Sequence, residues 1–116
     1  MIEFLNTIQV ELLSQPGESP FVFQADPFEF DPTCATVEGG TTWNCDITFI
    51  IDVPEVRALR NFAIPRSCLV HLRDSQRHTH TLGTREVPAL VQLSTHLNRA
   101  RLRVECQMLH NPLMVE

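Results

Sequence analysis

The segment Thr42-Trp-Asn-Cys-Asp-Ile-Thr-Phe-Ile-Ile-Asp-Val53 decides the fold class. Apolar side chains stand at every second position from Trp43 to Ile51, with mostly polar residues between them. A period of two places these apolar residues on one face of an extended strand. The segment therefore predicts one long β-strand with one face in a core and the other face in water.

The same period recurs on both sides of this segment. It predicts a long strand over 2–13, a hairpin over 68–84, a strand over 88–93 and a closing strand over 101–109. The expected total is six or seven strands. Because a parallel fold needs a helix after nearly every strand, this pattern favours an antiparallel β-sandwich or barrel.

A short helix is predicted over about 54–62, directly after the deciding segment. The period changes there, Pro54 suits the first helical turn, and Asp52 or Val53 can cap the N-terminus. Val56, Leu59 and Phe62 give the expected packing stripe. The predicted architecture is mainly β with this one helix.

The region 14–42 has little periodicity and is expected to form an extended arm or loop within a single domain over 1–116. It contains a turn-rich break over 14–20 and a predicted mobile loop over 31–42 with two adjacent glycines. Its four phenylalanines leave two alternatives open, a lid over the sandwich or an arm that docks into a neighbouring subunit. These candidate interface residues are Phe21, Phe23, Phe28 and Phe30.

The charge of the chain is distributed unevenly. Residues 1–56 hold ten of the fourteen acids and no arginine, whereas 57–116 hold all nine arginines and four acids. The net charge of -5 argues against a nucleic-acid partner. Two alternatives stay open: the halves neutralise each other within one fold, or opposite faces carry opposite charge and favour rings or stacks of copies. The second predicts an interface at Arg99, Arg101 and Arg103.

No sequence motif for catalysis, nucleotide binding or metal binding occurs in the chain, so we expect a non-enzymatic protein without a cofactor. The chain has no apolar run of membrane-spanning length and no signal peptide, which predicts a cytoplasmic protein without a membrane partner. None of the four cysteines forms a C-x-x-C pair, and we expect reduced thiols with Cys45 and Cys106 in the core.

Three histidines lie in the hairpin predicted over 68–84. If Ser75 and Gln76 form its tip, His71 stands opposite His80, and His71, His78 and His80 share one face. Three imidazoles on one face can hold a metal ion, which makes a metal- or ligand-binding β-domain the alternative function. The other explanation is a polar face in contact with solvent.

The run from Ser67 to about Pro112 has a recognisable order of short elements. A strand, the tip Asp74-Ser-Gln-Arg77, a strand ending Thr81-Leu-Gly-Thr84 and the spacer Val87-Pro-Ala-Leu-Val91 follow one another. This run resembles small structural proteins encoded among the tail and head–tail genes of tailed bacteriophages and prophages, in which glycine often stands at the position of Arg77. The resemblance implies a structural subunit that self-associates or docks with other virion proteins, first in the host cell and then in the virion.

Overall fold

The computed structural model describes residues 3–14 and 20–113. Predictions that fall on 1–2, 15–19 and 114–116, including the start of the first strand and most of the break over 14–20, lie outside the described residues. Within the described ranges the chain forms ten strands and one helix. In chain order they are β1 (Phe4–Leu12), β2 (Phe21–Gln24), β3 (Thr33–Val37), β4 (Gly40–Asn44), β5 (Ile47–Asp52), α1 (Val56–Asn61), β6 (Arg66–Asp74), β7 (Thr79–Leu82), β8 (Ala89–His96), β9 (Arg99–Glu105) and β10 (Gln107–Met108).

The strands form two antiparallel sheets. The larger sheet has the order β2-β1-β6-β8-β9-β5, with β7 paired to β6, and the smaller sheet has the order β10-β4-β3. The outer strands of the larger order, β2 and β5, approach at the Ala25–Ile51 bridge without a continuous ladder. The fold is therefore a sandwich-like, mainly antiparallel β structure with one short helix, as the sequence predicts.

The core follows the period of two along the strands. In β1 the side chains of Ile8 and Val10 are fully buried, while Gln9 between them is exposed. The same alternation buries residues 68, 70 and 72 of β6 and residues 100, 102 and 104 of β9. Burial of these apolar side chains is the main favourable term for the fold.

The deciding segment does not form one strand, and in this respect the prediction is wrong. It divides into β4 and β5, which belong to different sheets. The backbone N–H of Asp46 donates to the side-chain oxygen of Asn44 at 2.9 Å, and Oδ1 of Asp46 accepts from the backbone N–H of Cys106 at 2.8 Å. These bonds turn the chain at the break, while Cys45 remains fully buried.

The predicted loop over 31–42 is also corrected, because most of it forms a hairpin of β3 and β4. Gly39 and Gly40 adopt φ values of +98° and +147°, which residues with a side chain rarely adopt. The two glycines therefore mark a tight turn between strands. The region 14–42, expected as an extended arm, includes β2, β3 and the first residues of β4.

The helix is shorter than predicted. It spans Val56–Asn61, and its N-cap is Glu55 in place of Asp52 or Val53. Phe62 at its C-terminal end is fully buried, whereas Val56 is exposed, so only part of the predicted packing stripe faces the core. The backbone carbonyl of Phe62 accepts from the N–H of Leu93 at 2.8 Å, which ties the helix to β8.

Candidate functional site

The hairpin of β3 and β4 presents an exposed strand edge. Within the described ranges β3 pairs with β4 alone, and the side chains of residues 33–36 are all exposed. The strand Thr33–Val37 contains no charged residue and no proline. Natural sheets usually protect an edge with lysine, proline or a covering segment, because an open edge pairs with other chains. This edge is suited to main-chain pairing with another strand.

The arginines of β9 lie on the outer face of the larger sheet, and they differ in their ion-pair partners. Arg99 contacts Asp26 at 2.6 Å and Asp52 at 3.8 Å, through the same guanidinium nitrogen. Arg103 contacts Glu105 at 2.8 Å. At Arg99, acids of the first half of the chain neutralise an arginine of the second half, as the first of the two charge alternatives expects. Arg103 and Glu105 both belong to the second half, so their ion pair does not bear on that alternative.

Arg101 differs from its two neighbours. Among residues 3–14 and 20–113, no ion pair or hydrogen bond of its side chain is found. In the ladder it lies opposite Ile50 of β5 and Ser94 of β8, neither of which carries a charge. Among the described residues, Arg101 is therefore the arginine of this strand whose charge has no partner.

The turn between β8 and β9 lies next to Arg101. His96 pairs with Arg99, so Leu97 and Asn98 form a two-residue turn. Leu97 adopts a φ of +55° and is 89% exposed, an unfavourable backbone conformation and an unfavourable environment for leucine. A surface cavity of about 390 Å³ is lined by Ile50 and by residues 96–101.

The four phenylalanines proposed as a docking arm pack within their own chain. Phe21, Phe23 and Phe30 are buried and belong to the core, and Phe28 is half-buried. Phe28 packs edge-on against Phe49 with ring centroids 4.7 Å apart. Phe21 and Phe23 belong to β2 of the larger sheet, so these two residues form neither a separate lid nor an extended arm within the chain.

The histidine hairpin has a different register from the predicted one. His71 pairs with Thr81, and Leu72 pairs with His80, because the turn contains Ser75, Gln76 and Arg77. The extra residue of the turn shifts the second strand by one position and reverses the face of its side chains. His80 consequently points into the core, whereas His71 lies on the opposite face.

His80 is 2% exposed and is held between two acceptors. Its Nε2 lies 2.9 Å from Oδ2 of Asp74, and its Nδ1 lies 3.1 Å from the carbonyl oxygen of Pro112. Hydrogen bonds from His80 and from the backbone N–H groups of His78 and Gln76 lower the pKa of Asp74 to about 2, although burial acts in the other direction. This cluster fastens the hairpin to the segment around Pro112.

The three candidate metal ligands do not converge. His71 contacts Thr81 at 2.9 Å and Glu11 at 3.4 Å, while the half-exposed His78 approaches Asp74 at 3.5 Å. In the part of the chain that the structure describes, no group of three or more histidine, cysteine or acidic side chains is arranged to hold a metal ion. The hairpin histidines thus have structural contacts, and the geometry gives the metal-binding alternative no support.

The cysteines are free thiols, and three of the four are buried. The pKa of Cys45 is raised by its hydrogen bond with Cys106 and by burial, and burial raises the pKa of Cys68 to about 12. Thiolate is the reactive form of cysteine, so Cys45 and Cys68 are poor nucleophiles, whereas the hydrogen bond with Cys45 lowers the pKa of Cys106. Cys34 on β3 is the exposed thiol.

Comparisons with protein-family models, with curated proteins and with solved structures give no match to this chain. Within the described ranges, no helix has the length and apolar character needed to cross a membrane. The sequence analysis predicts neither the open edge of β3 nor the exposed Leu97. The two adjacent glycines of the β3–β4 turn are a sequence signal from which the β3–β4 hairpin could have been predicted. A leucine in a turn position carries no comparable signal.

Proposed function

We propose that this protein is a non-enzymatic structural subunit that self-associates through the open edge of β3. The observation that carries this proposal is the hairpin of β3 and β4. Within the described ranges the outer edge of β3 is unpaired, and this strand is uncharged and exposed on both faces. Such an edge adds a strand from another chain through main-chain hydrogen bonds. A second copy is the simplest partner, because it offers the same edge.

Pairing of two β3 strands is geometrically simple. Two copies related by a two-fold axis present the same patch to each other, and their strands run antiparallel. The smaller sheet, with the order β10-β4-β3, would continue across the axis into the same three strands of the second copy. The contact uses main-chain groups of uncharged residues, so its strength should depend little on salt.

The assembly in which this subunit acts is a tail or head–tail structure of a tailed bacteriophage or prophage. The resemblance over residues 67–112 supports this part of the proposal. The subunit would exist in the host cell before assembly and in the virion afterwards, where a second copy and other virion proteins are its partners. The structural role needs no catalytic group.

Sedimentation velocity over a range of protein concentrations tests the self-association. The variant Ala35→Lys places a charge in the middle of the open edge, and we expect it to be monomeric at concentrations where the unaltered chain associates. The matched control is Thr41→Lys, which adds the same charge to an exposed position of β4, opposite Thr36 and away from the open edge of β3. Equal association of the unaltered chain and Ala35→Lys would refute the proposal.

Chemical cross-linking gives a second test with the natural thiol. If two β3 strands pair around Ala35, the Cys34 residues of the two copies lie on one face, two positions apart along the ladder, at about 7–8 Å. A short bifunctional maleimide should then join two chains through Cys34, and Cys34→Ser should abolish the product. A product that persists in Cys34→Ser would show that the cross-link comes from another contact.

A further inference from the structure

A second surface with different chemistry lies at the end of the β8–β9 hairpin. We name it the hairpin-tip surface and define it by Ile50, His96, Leu97 and Arg101. The cavity of about 390 Å³ lies among these residues. Its apolar part consists of Leu97, which is 89% exposed, and Ile50, which is 38% exposed.

Arg101 supplies the positive charge of this surface, and His96 lies next to the turn. A guanidinium binds a carboxylate through two parallel hydrogen bonds, and this pairing is most favourable where apolar neighbours reduce the access of water. Ile50 stands directly opposite Arg101 in the ladder and provides such a neighbour. The neighbouring Arg99 is already occupied by Asp26 and Asp52, so Arg101 is the group that a carboxylate from outside would meet.

The conformation of Leu97 indicates that this tip is adapted to a contact. A left-handed backbone conformation is costly for leucine, and glycine or asparagine adopts it with less strain. Residues held in such conformations are concentrated at functional sites. Here the strained turn exposes a large apolar side chain beside Arg101, which has no ion-pair partner among the described residues.

The chain itself carries a complementary segment. Glu29 and Asp31 are exposed on either side of the buried Phe30, and among the described residues neither forms an ion pair. Asp26, three residues before Glu29, contacts Arg99 of β9 within the chain. An acid close to this segment in sequence thus pairs with β9, and the carboxylates of Glu29 and Asp31 have no arginine partner among the described residues.

We infer that the hairpin-tip surface binds the acidic segment Glu29–Asp31 of a second copy, with Arg101 as the principal cationic contact and Leu97 as the apolar one. This inference rests on the proposed self-association and adds a contact between unlike surfaces. Such a contact is not self-complementary, so it extends an assembly into a ring or a stack. Together with the β3 edge it would give each subunit two kinds of neighbour.

Charge reversal tests this contact in sedimentation velocity at low and at high salt. The variant Arg101→Glu, and separately the pair Glu29→Arg with Asp31→Arg, should each weaken the salt-sensitive association by about ten-fold or more, because like charges then face each other. An equimolar mixture of the two variants should restore association to within about three-fold, since each then offers the other a complementary surface.

The control is Arg85→Glu, which makes the same charge change at an exposed position of the loop before β8. It should leave association unchanged, and all variants should keep the melting temperature of the unaltered chain. If Arg101→Glu associates as strongly as the unaltered chain, the inference is overturned. Weakening without rescue in the mixture would overturn the assignment of Glu29 and Asp31.

The result is separable from that of the β3 test. If Ala35→Lys dissociates the protein and Arg101→Glu has no effect, the edge contact stands and the hairpin-tip contact fails. If Arg101→Glu removes a salt-sensitive association that Ala35→Lys leaves intact, the hairpin-tip contact stands and the edge contact fails.

Discussion

Replacing Leu97 by glycine should stabilise the fold while weakening its association. Leu97 adopts a φ of +55° at the first position of a two-residue turn, where glycine is the favoured residue. The left-handed conformation costs a residue with a side chain about 1–2 kcal/mol. Glycine removes that strain but loses about 0.5–1 kcal/mol through the greater freedom of its unfolded chain.

The loss of apolar burial is small in this substitution. Because Leu97 is 89% exposed, removal of its side chain gives up only about 0.3 kcal/mol. The expected net gain in the free energy of unfolding is about 0.5 kcal/mol, which corresponds to a rise of about 2 °C in the melting temperature. Thermal and urea unfolding followed by circular dichroism measure both quantities.

Arg77→Gly is the matched variant for this experiment. Arg77 adopts a φ of +69° in the turn between β6 and β7, so glycine should relieve a similar strain there. Both variants should gain stability, but only Leu97→Gly should weaken self-association. If Leu97→Gly lowers the free energy of unfolding, the leucine side chain contributes to packing within the fold. That result would refute the hypothesis that Leu97 is exposed in order to contact a second copy.

Three further predictions concern the reactivity of the thiols, unfolding in acid and the backbone at Gly83. In the native protein a thiol reagent should modify Cys34 alone, with the three buried thiols reacting only after unfolding; rapid modification of more than one thiol would contradict the described burial. The pKa of Asp74 is lowered to about 2, so its stabilising effect is present above about pH 4 and lost as the pH falls from 4 toward 2. Acid unfolding of Asp74→Asn should therefore be less steep in this range than that of the unaltered chain, and equal slopes would count against the role of Asp74. Gly83→Ala should lower the free energy of unfolding by about 2 kcal/mol or more in urea titration, because φ is +91° and the added Cβ would lie 2.6 Å from the backbone nitrogen of Ala89; an unchanged midpoint would refute this.

The period of two in the sequence predicts which side chains face the core, because alternation is a local property of an extended chain. It correctly assigns Ile8, Val10 and Leu102 to the interior. It does not show where a strand leaves one sheet for another. The break at Asp46 depends on a hydrogen bond from Cys106, which is sixty residues away in sequence.

The register of the histidine hairpin depends on a single backbone conformation. A two-residue tip would place His71 opposite His80, whereas the observed turn has three residues and places His71 opposite Thr81. The third residue, Arg77, adopts a left-handed conformation that its side chain disfavours. Glycine at position 77 would signal such a turn, because it adopts this conformation without strain, whereas arginine gives no such signal.

The arginines of β9 show why the sequence cannot identify a charged interface by pattern alone. Arg99, Arg101 and Arg103 alternate identically and point to the same face, but the antiparallel register with β5 places Asp52 opposite Arg99 and Ile50 opposite Arg101. An exposed ion pair contributes at most about 1 kcal/mol, so the charge of Arg101 adds only a small part of the affinity of the assembly. The main-chain hydrogen bonds of the β3 edge should therefore provide most of the affinity, while Arg101 selects the orientation of the next copy. High salt should then shorten or misorder the assembly and leave pairs of subunits joined through β3.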